Sequence, residues 1–433
     1  MRMWYYGLHQ GRNPDLAEEL KSQADTWQGQ GWNTFVGPVC YAESKDGIHW
    51  EKVNLGQLLF KGNRDNNAFD LGSALTAEAL VIKDEEDPDP QRRYKMTFWV
   101  QHHPLATSSV ATIQSATSPD GIKWKTAEKL PMPSTFREEG SFYKHNGFYF
   151  AGAQTFEPGP NGRNIERAGT TFVSPDFDHW LYETSRSLVL PRGAGGRRFE
   201  PHLGMGAKSF GNVLVGIYGR WDGPNHIVGH DITADLGLVV SNDGMKFREP
   251  DPESIFISAK ESPAKSFTGR KLDTQRTILC QGNGILNVGD QTLIYYGRWA
   301  RRYDDPSTWV EEDYSAEVAL ATLPRDRWGQ LRLTGGSGSV WTTPVVLPKN
   351  ATKMFVNCEG AKGFEIEVAD ARFGKLEGFS GKVEGAQGLD CPVNWQGKSL
   401  SELAGKTVRF RIAMRSGRPD YQPRLYALYL RTE

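Results

Sequence analysis

Cysteine is scarce in this chain, at 4 of 433 residues. Cys40, Cys280, Cys358 and Cys391 are scattered, with no CxxC pair and no zinc-type spacing, so no metal site is expected from them. The thiols need not pair, because a chain this long can bury them free. No apolar run reaches the length of a membrane span, which argues against an integral membrane protein. An excess of either charge is also missing. Lys+Arg 51 stand against Asp+Glu 52, with no long basic run, so nothing points electrostatically to a nucleic-acid partner. Sustained helical periodicity is nearly absent; only 14–25 (PDLAEELKSQAD) predicts a short helix and 399–406 (SLSELAGK) a single turn. The beginning, MRMWYYGLHQG, lacks the apolar core of a signal peptide and reads at once as a strand.

What is plentiful is glycine, at 47, and aromatic residues, at 11%, which suits many short strands joined by tight turns. One polar turn recurs. SKDGIHW (44–50), SPDGIKW (118–124), SPDFDHW (174–180), SNDGMKF (241–247) and LPRDRW (323–328) each follow a β-type run and close on an aromatic ring. Upstream of each lies an aromatic, β-branched strand: RMWYYG, YKMTFWVQ, GFYFAGAQ, NVLVGIYGRW and QTLIYYGRW. Asp-Gly supplies turn residues that tolerate positive φ. The closing aromatics lie 56 to 81 residues apart, too irregular for a solenoid but suited to propeller blades with variable loops. The turns themselves read as architecture rather than ligand sites. After about residue 335 the pattern changes. GGSGS (335–339) reads as a connection, and GFEIEVAD, TVRFRIAM and LYALYLRT then alternate like half-buried sandwich strands. The expected fold is all-β: a five-bladed β-propeller over 1–334 and a C-terminal β-sandwich over 343–433.

CYAESKDGIHWEKVNLG, VATIQSATSPDGIKW, ITADLGLVVSNDGMKFREP, QGNGILNVGDQTLIYYGRW and EVALATLPRDRWG make the chain resemble five-bladed propeller glycoside hydrolases of families 32 and 43, especially bacterial family 32-like proteins. The resemblance implies three carboxylates gathered at the central cavity, one donating a proton and one activating water or attacking the sugar. Such chemistry needs a protonated acid at the leaving oxygen and a charged carboxylate across the ring. Acids stand where blades should begin: Glu78 in LTAEALVI, Glu139 in FREEGSFY and Glu200 in RRFEPHLG, successive ones 61 residues apart. FEPHLG is similar to the acid-bearing segment of family 43, so Glu200 is the expected proton donor. Glu138 competes with Glu139 and Asp70 with Glu78, and Glu200 reads equally as a salt-bridge partner of Arg197 or Arg198.

Substrate contacts are expected from His202, Asp235, Asp273, Gln281, Asn283 and two Gly-Arg-Trp turns, Arg220 with Trp221 and Arg298 with Trp299. An Arg there suits an acidic sugar, although tying blades together is the alternative role. His102 and His103 read as rim residues. The resemblance also exposes a gap, since the innermost strand that should precede RMWYYG, with its base Asp, is absent. A late start, closure of the ring by 339–346, or an incomplete first blade would each explain it, and a late start would hide any export signal. Localisation and oligomeric state are therefore left open. The expected activity is exo-acting glycoside hydrolysis of an oligosaccharide or polysaccharide, without a cofactor; a structural cation in the channel is compatible but not indicated. The alternative is a carbohydrate-binding or structural propeller that cleaves nothing.

Overall fold

The recurrent turn shows its purpose in its hydrogen bonds. In four copies a Ser hydroxyl accepts the backbone N–H three residues on: Ser44 from Gly47 (2.7 Å), Ser118 from Gly121 (2.8 Å), Ser174 from Phe177 (2.9 Å) and Ser241 from Gly244 (3.0 Å). The Asp two residues after each Ser accepts two further N–H groups, as Asp120 does from Ile122 and Lys123, both at 2.8 Å. The residue at the bend takes positive φ: Gly47 at 79°, Gly121 at 76° and Gly244 at 79°. Phe177 holds the same place at 73°, where its buried ring packs on Phe142, Tyr149 and Trp180. Burial of that ring offsets the strain glycine would avoid. The fifth copy departs from the pattern. It has no Ser, and Asp326 instead accepts from Asn287 Nδ2 and Tyr429 Oη, both at 2.7 Å.

The structure, a computed structural model, describes residues 1–7, 38–60, 62–72, 76–100, 112–129, 132, 138–158, 165–188, 190, 198–223, 233–252, 254–262, 276–301, 315–417 and 422–432. The helix expected over 14–25 lies outside the described residues. The chain divides into two units, Met1–Ile285 with Ile294–Leu320, and Leu286–Leu293 with Ala321–Glu433.

In the first unit β1 (Arg2–Tyr6) pairs with β2 (Val39–Glu43). An antiparallel meander follows from β3 (Thr76–Lys83), β4 (Tyr94–Val100), β5 (Thr112–Ser118) and β6 (Lys125–Thr126). A second comprises β7 (Glu138–His145), β8 (Phe148–Pro158), β9 (Ile165–Ser174) and β10 (Tyr182–Leu188). A six-stranded sheet runs in chain order through β11 (Arg198–Ser209), β12 (Leu214–Gly223), β13 (Thr233–Ser241), β14 (Arg276–Val288), β15 (Gln291–Arg301) and β16 (Ser315–Pro324). Its halves meet at a parallel bridge, Ala234 to Ile278.

Aromatic donors stitch these sheets together through the turns. Trp4 Nε1 on β1 donates to the Gly121 carbonyl (3.0 Å), and Tyr143 Oη on β7 donates to that of Gly244 (2.7 Å). Tyr295 Oη on β15 donates to that of Gly47 (2.6 Å), joining the last sheet to the first. The two four-stranded meanders are tied by charge instead. Lys95 on β4 is fully buried, 2.5 Å from Asp87 and 3.4 Å from Asp84, while Lys144 on β7 reaches Asp84 at 2.8 Å and Tyr149 also donates to it.

In the second unit β17 (Leu331–Arg332), β18 (Ser337–Trp341), β19 (Val345–Val346), β20 (Ala351–Glu359), β21 (Phe364–Asp370), β22 (Lys375–Val383), β23 (Gln387–Gly397), β24 (Thr407–Arg415) and β25 (Arg424–Thr432) form one curled nine-stranded sheet. β23 pairs with β20 on one side and β22 on the other, so the sheet folds over a core that includes Val356, Phe364, Ile366, Phe410 and Ile412. The alternation expected for FEIEV and VRFRI is observed. Ser337–Trp341 is not a free connection: it pairs with β24. Leu400–Leu403 forms the expected single turn, a 3₁₀ turn capped reciprocally by Ser399 and Glu402.

The buried charge cluster yields a test. Burial pushes the Asp84 carboxyl up, but hydrogen bonds from Lys144 and Tyr149 and the Lys95 charge outweigh it and hold it at about 2. Asp84 therefore contributes stability above the ordinary carboxylate range, and that contribution is lost as pH falls from about 4 through about 2. Lys95→Met should cost on the order of 3–5 kcal/mol, because it leaves buried carboxylates short of a partner. Urea unfolding at pH 7 reads the loss; a cost under about 1 kcal/mol would show that the cluster is not a tie.

Candidate functional site

The first strands of the three successive sheets β3–β6, β7–β10 and β11–β16 each slip register near an expected site residue. On β3 the pairing jumps from Ala77–Trp99 to Leu80–Thr97, around Glu78. On β7 it jumps from Glu139–Ala153 to Ser141–Gly152, and on β11 from His202–Gly219 to Gly206–Ile217. Bulges of this kind bend a strand and re-aim its side chains. Glu78 and Leu203 take φ of 50° and 60°, a strain that surrounding structure must hold in place. Glycine lets the strands converge there: a Cβ on Gly140 would lie 2.1 Å from Gly204 N, and one on Gly206 would lie 2.2 Å from Gly282 O. The Asn283 side chain on β14 donates to the Phe142 carbonyl of β7 across the same convergence.

Three carboxyls meet at these bulges. The Glu139 N–H is directed at the Glu78 carboxylate, whose Oε2 is shielded from solvent without a partner. Burial, followed by the charges of Glu138 and Glu139, drives Glu78 well above the usual carboxylate range. Glu139 is fully buried and neither oxygen has a well-formed hydrogen bond. Burial raises it strongly too; the nearby Thr97 hydroxyl on β4 opposes this only in part. Glu138 differs from both. Burial raises it, the charge of Arg167 on β9 pulls it only part of the way back, and Gln154 Nε2 on β8 donates to its Oε2 at 2.5 Å. The adjacent pair thus divides, Glu138 toward Arg167 and Gln154, Glu139 toward Thr97. Glu78, Glu138 and Arg167 also act on the buried Cys280 thiol of β14, which burial pushes far up. Buried acids of which one lies under the influence of an arginine charge are the components of general acid–base chemistry.

Around this cluster His202 packs on Trp221, with ring centroids 4.4 Å apart, and edge-on to Trp299 at 6.5 Å. Cys280 Sγ lies 3.7 Å from His202 Nδ1. The two Gly-Arg-Trp segments are not turns but parts of β12 and β15, and they bring both indoles to one histidine. Their arginines are engaged elsewhere: Arg220 donates to the carbonyls of Pro252 (3.2 Å) and Ser254 (3.4 Å), and Arg298 to Glu317 (2.8 Å) and Ser262 Oγ (3.1 Å). Asp235 anchors the same loop as Arg220, accepting from Ala259 N at 2.7 Å. Gln281 Oε1 accepts from Gly219 N at 3.0 Å, while its buried Nε2 has no partner. Glu200 stands on β11 opposite Trp221 in register, and its side chain is outside the described part. Asp273, His102 and His103 lie outside the described residues. Asp70, the rival of Glu78, is exposed and accepts the N–H of Gly72 in its own turn. Among the described residues no group of three or more His, Cys, Asp or Glu is arranged to hold a metal ion. Sequence reasoning missed Arg167, Gln154 and Thr97. The available signal was a charged or polar residue near the end of a stretch of small and apolar residues, as Gln154 is in GFYFAGAQ.

Raised carboxyls carry a stability cost with a definite sign. Glu139 is tolerated in full when neutral, below its unfolded value near 4.3, and the folded state loses stability as pH rises toward its folded value. Glu139→Gln should therefore be more stable than the parent at pH 8, by at least about 1 kcal/mol, the worth of somewhat under one pKa unit. The advantage should shrink toward zero at pH 4, as chemical unfolding at the two pH values would show. Equal stability at both would mean that Glu139 ionises freely.

No family model matches the chain, and no curated protein matches it in sequence. Among solved structures it is similar to an N-acetylgalactosamine deacetylase from F. plautii in complex with blood group B trisaccharide, at 12% identity and a TM-score of 0.44 over 67% of this chain and 82% of that one. It is similar also to a glycoside hydrolase family 43 arabinoxylan arabinofuranohydrolase from Bacillus subtilis, at 12% identity and a TM-score of 0.39 over 91% of this chain and 88% of that one. A third is the β-1,2-mannobiose phosphorylase from Listeria innocua, at 13% identity and a TM-score of 0.41 over 67% and 68%. These likenesses are distant, and none assigns a substrate or a family to this chain.

Proposed function

We propose that the chain is a carbohydrate-active enzyme, an exo-acting glycoside hydrolase of the family 32/43 kind, with a five-bladed propeller over 1–334 and a sandwich over 343–433. The observation that carries the reading is the meeting of Glu78, Glu138 and Glu139 with one arginine, Arg167, in a buried cluster. The closed circuit of sheet contacts from β1 to β15 supports the propeller. In this reading Glu138, not its neighbour Glu139, activates water or attacks the anomeric carbon, because it is the acid of the pair that an arginine keeps toward its charged form. Glu78, held neutral, donates a hydrogen bond to the sugar, and Glu200 protonates the leaving oxygen. Trp299, half-buried and backed by His202 and Trp221, supplies the ring against which a sugar face packs. Gln281, whose Nε2 is without a partner, offers a hydrogen-bond donor. With Arg220 and Arg298 bonded to loop carbonyls, Glu317 and Ser262, they support the site rather than clamp an acidic sugar.

A glycan panel tests this, with purified parent, Glu138→Gln and Glu200→Gln assayed side by side. Each substitution nearly preserves shape while removing a charge or a transferable proton, and should lower the rate on the identified substrate by ~10²–10⁴-fold. A Glu138→Gln variant as fast as the parent would remove Glu138 from the chemistry. Binding of a glycan that is never cleaved would replace the hydrolase with the carbohydrate-binding alternative.

A further inference from the structure

We propose that Arg167 and Gln154 are positioning residues that hold the Glu138 carboxyl aimed and bias it toward its charged form. The catalytic consequence rests on the hydrolase reading; the electrostatic one does not. Gln154 is fully buried on β8, directly opposite Glu138 in register. Its Oε1 receives two donors, Arg167 Nη1 at 3.1 Å and the Leu203 N–H at 3.1 Å. That fixes the amide, because flipping it would face an NH₂ group toward both donors. Its Nε2 must therefore point at Glu138, where it donates at 2.5 Å and asks for an oxygen that can accept. The Leu203 N–H comes from the strained bulge on β11, so that bulge has a use: it supplies the second donor that locks Gln154.

Arg167 is itself fixed on its far side, with its guanidinium over the Trp221 ring at 4.5 Å. Trp221 in turn packs on His202. The chain of contact runs from these rings through Arg167 and Gln154 to Glu138. Among the described residues, the groups that face Glu138 are Glu78 on β3, its strand neighbour Glu139, Arg167 on β9, Cys280 on β14 and, beside Cys280, His202 on β11. Arg167 is the permanent cation in that set. Without it Glu138 would stand among two carboxyls and a thiol in a dry site and would take up a proton.

The test titrates Glu138 directly, by carbon NMR of protein labelled at the glutamate carboxyl carbons, with the resonance assigned by its absence in Glu138→Gln. Arg167→Met should raise the midpoint by at least about one pH unit, a tenfold change in the ratio of the two protonation states. Arg167→Lys should restore most of the difference. Gln154→Met, which keeps the charge and removes the donor, should shift it the same way by less, and it stands as the test if Arg167→Met does not fold. An unmoved midpoint in a folded variant overturns the proposal, whatever the activity. Where a substrate is found, the acidic limb of kcat/KM should move up with the NMR midpoint. A midpoint that moves in a protein that cleaves no glycan keeps the positioning role and discards the hydrolase.

Discussion

The close approach of the first strands of the sheets is the constraint on which the site depends. At Gly140, Gly204, Gly206 and Gly282 backbone meets backbone where any Cβ would collide, so β7, β11 and β14 are drawn together. Strands brought this close cannot all continue in register, and β3, β7 and β11 each bulge at the same level. The bulges turn acid side chains into a space too small to keep them hydrated. Burial is the largest influence on Glu78, Glu138 and Glu139 alike, and it follows from the packing rather than from any single partner.

A cluster of buried acids opposes folding, and other parts of the first unit offset it. The polar turns satisfy their own backbone through Ser and Asp and leave a carbonyl free for an aromatic donor on another sheet. Each such bond is worth about 1 kcal/mol net, but the donors are buried rings whose packing contributes more. The Asp84–Lys95–Lys144 cluster ties the two meanders on which Glu78 and Glu138 stand. Stability at the edges of the sheets lets strain and desolvation persist at their inner ends.

The sequence makes some of this legible and hides the rest for identifiable reasons. Turns and strands are local, so their repetition announced the sheets, and the 61-residue spacing brought out Glu78 and Glu139. The division of labour between Glu138 and Glu139 was not legible. Their alternation continues only as long as the strand is regular, and β7 slips immediately after Glu139. Arg167 and Gln154 act across strands, so no spacing along the chain points to Glu138. The Gly-Arg-Trp segments of β12 and β15 show the opposite failure. Their repetition was legible, but whether Trp or Arg faces the site depends on the 251–259 loop and on Glu317, far away in sequence. In the second unit alternation in β21 and β24 was enough, because one face of a curled sheet is buried along its whole length.

An arginine near one of three carboxyls, the one cation of the cluster among the described residues, is also what makes the cluster chemically useful. Were all three acids unpaired, burial would leave them all protonated and there would be no base. A cation for each would leave them all charged, with no acid. One cation, held near Glu138 by Gln154 and Trp221, sets that carboxyl apart from two otherwise similar groups by favouring its charged form. The difference is then reinforced. A charge on Glu138 raises the cost of a second charge on Glu78, which burial already drives toward its neutral form. The asymmetry needs no difference in residue type, only a difference in which strand carries the arginine.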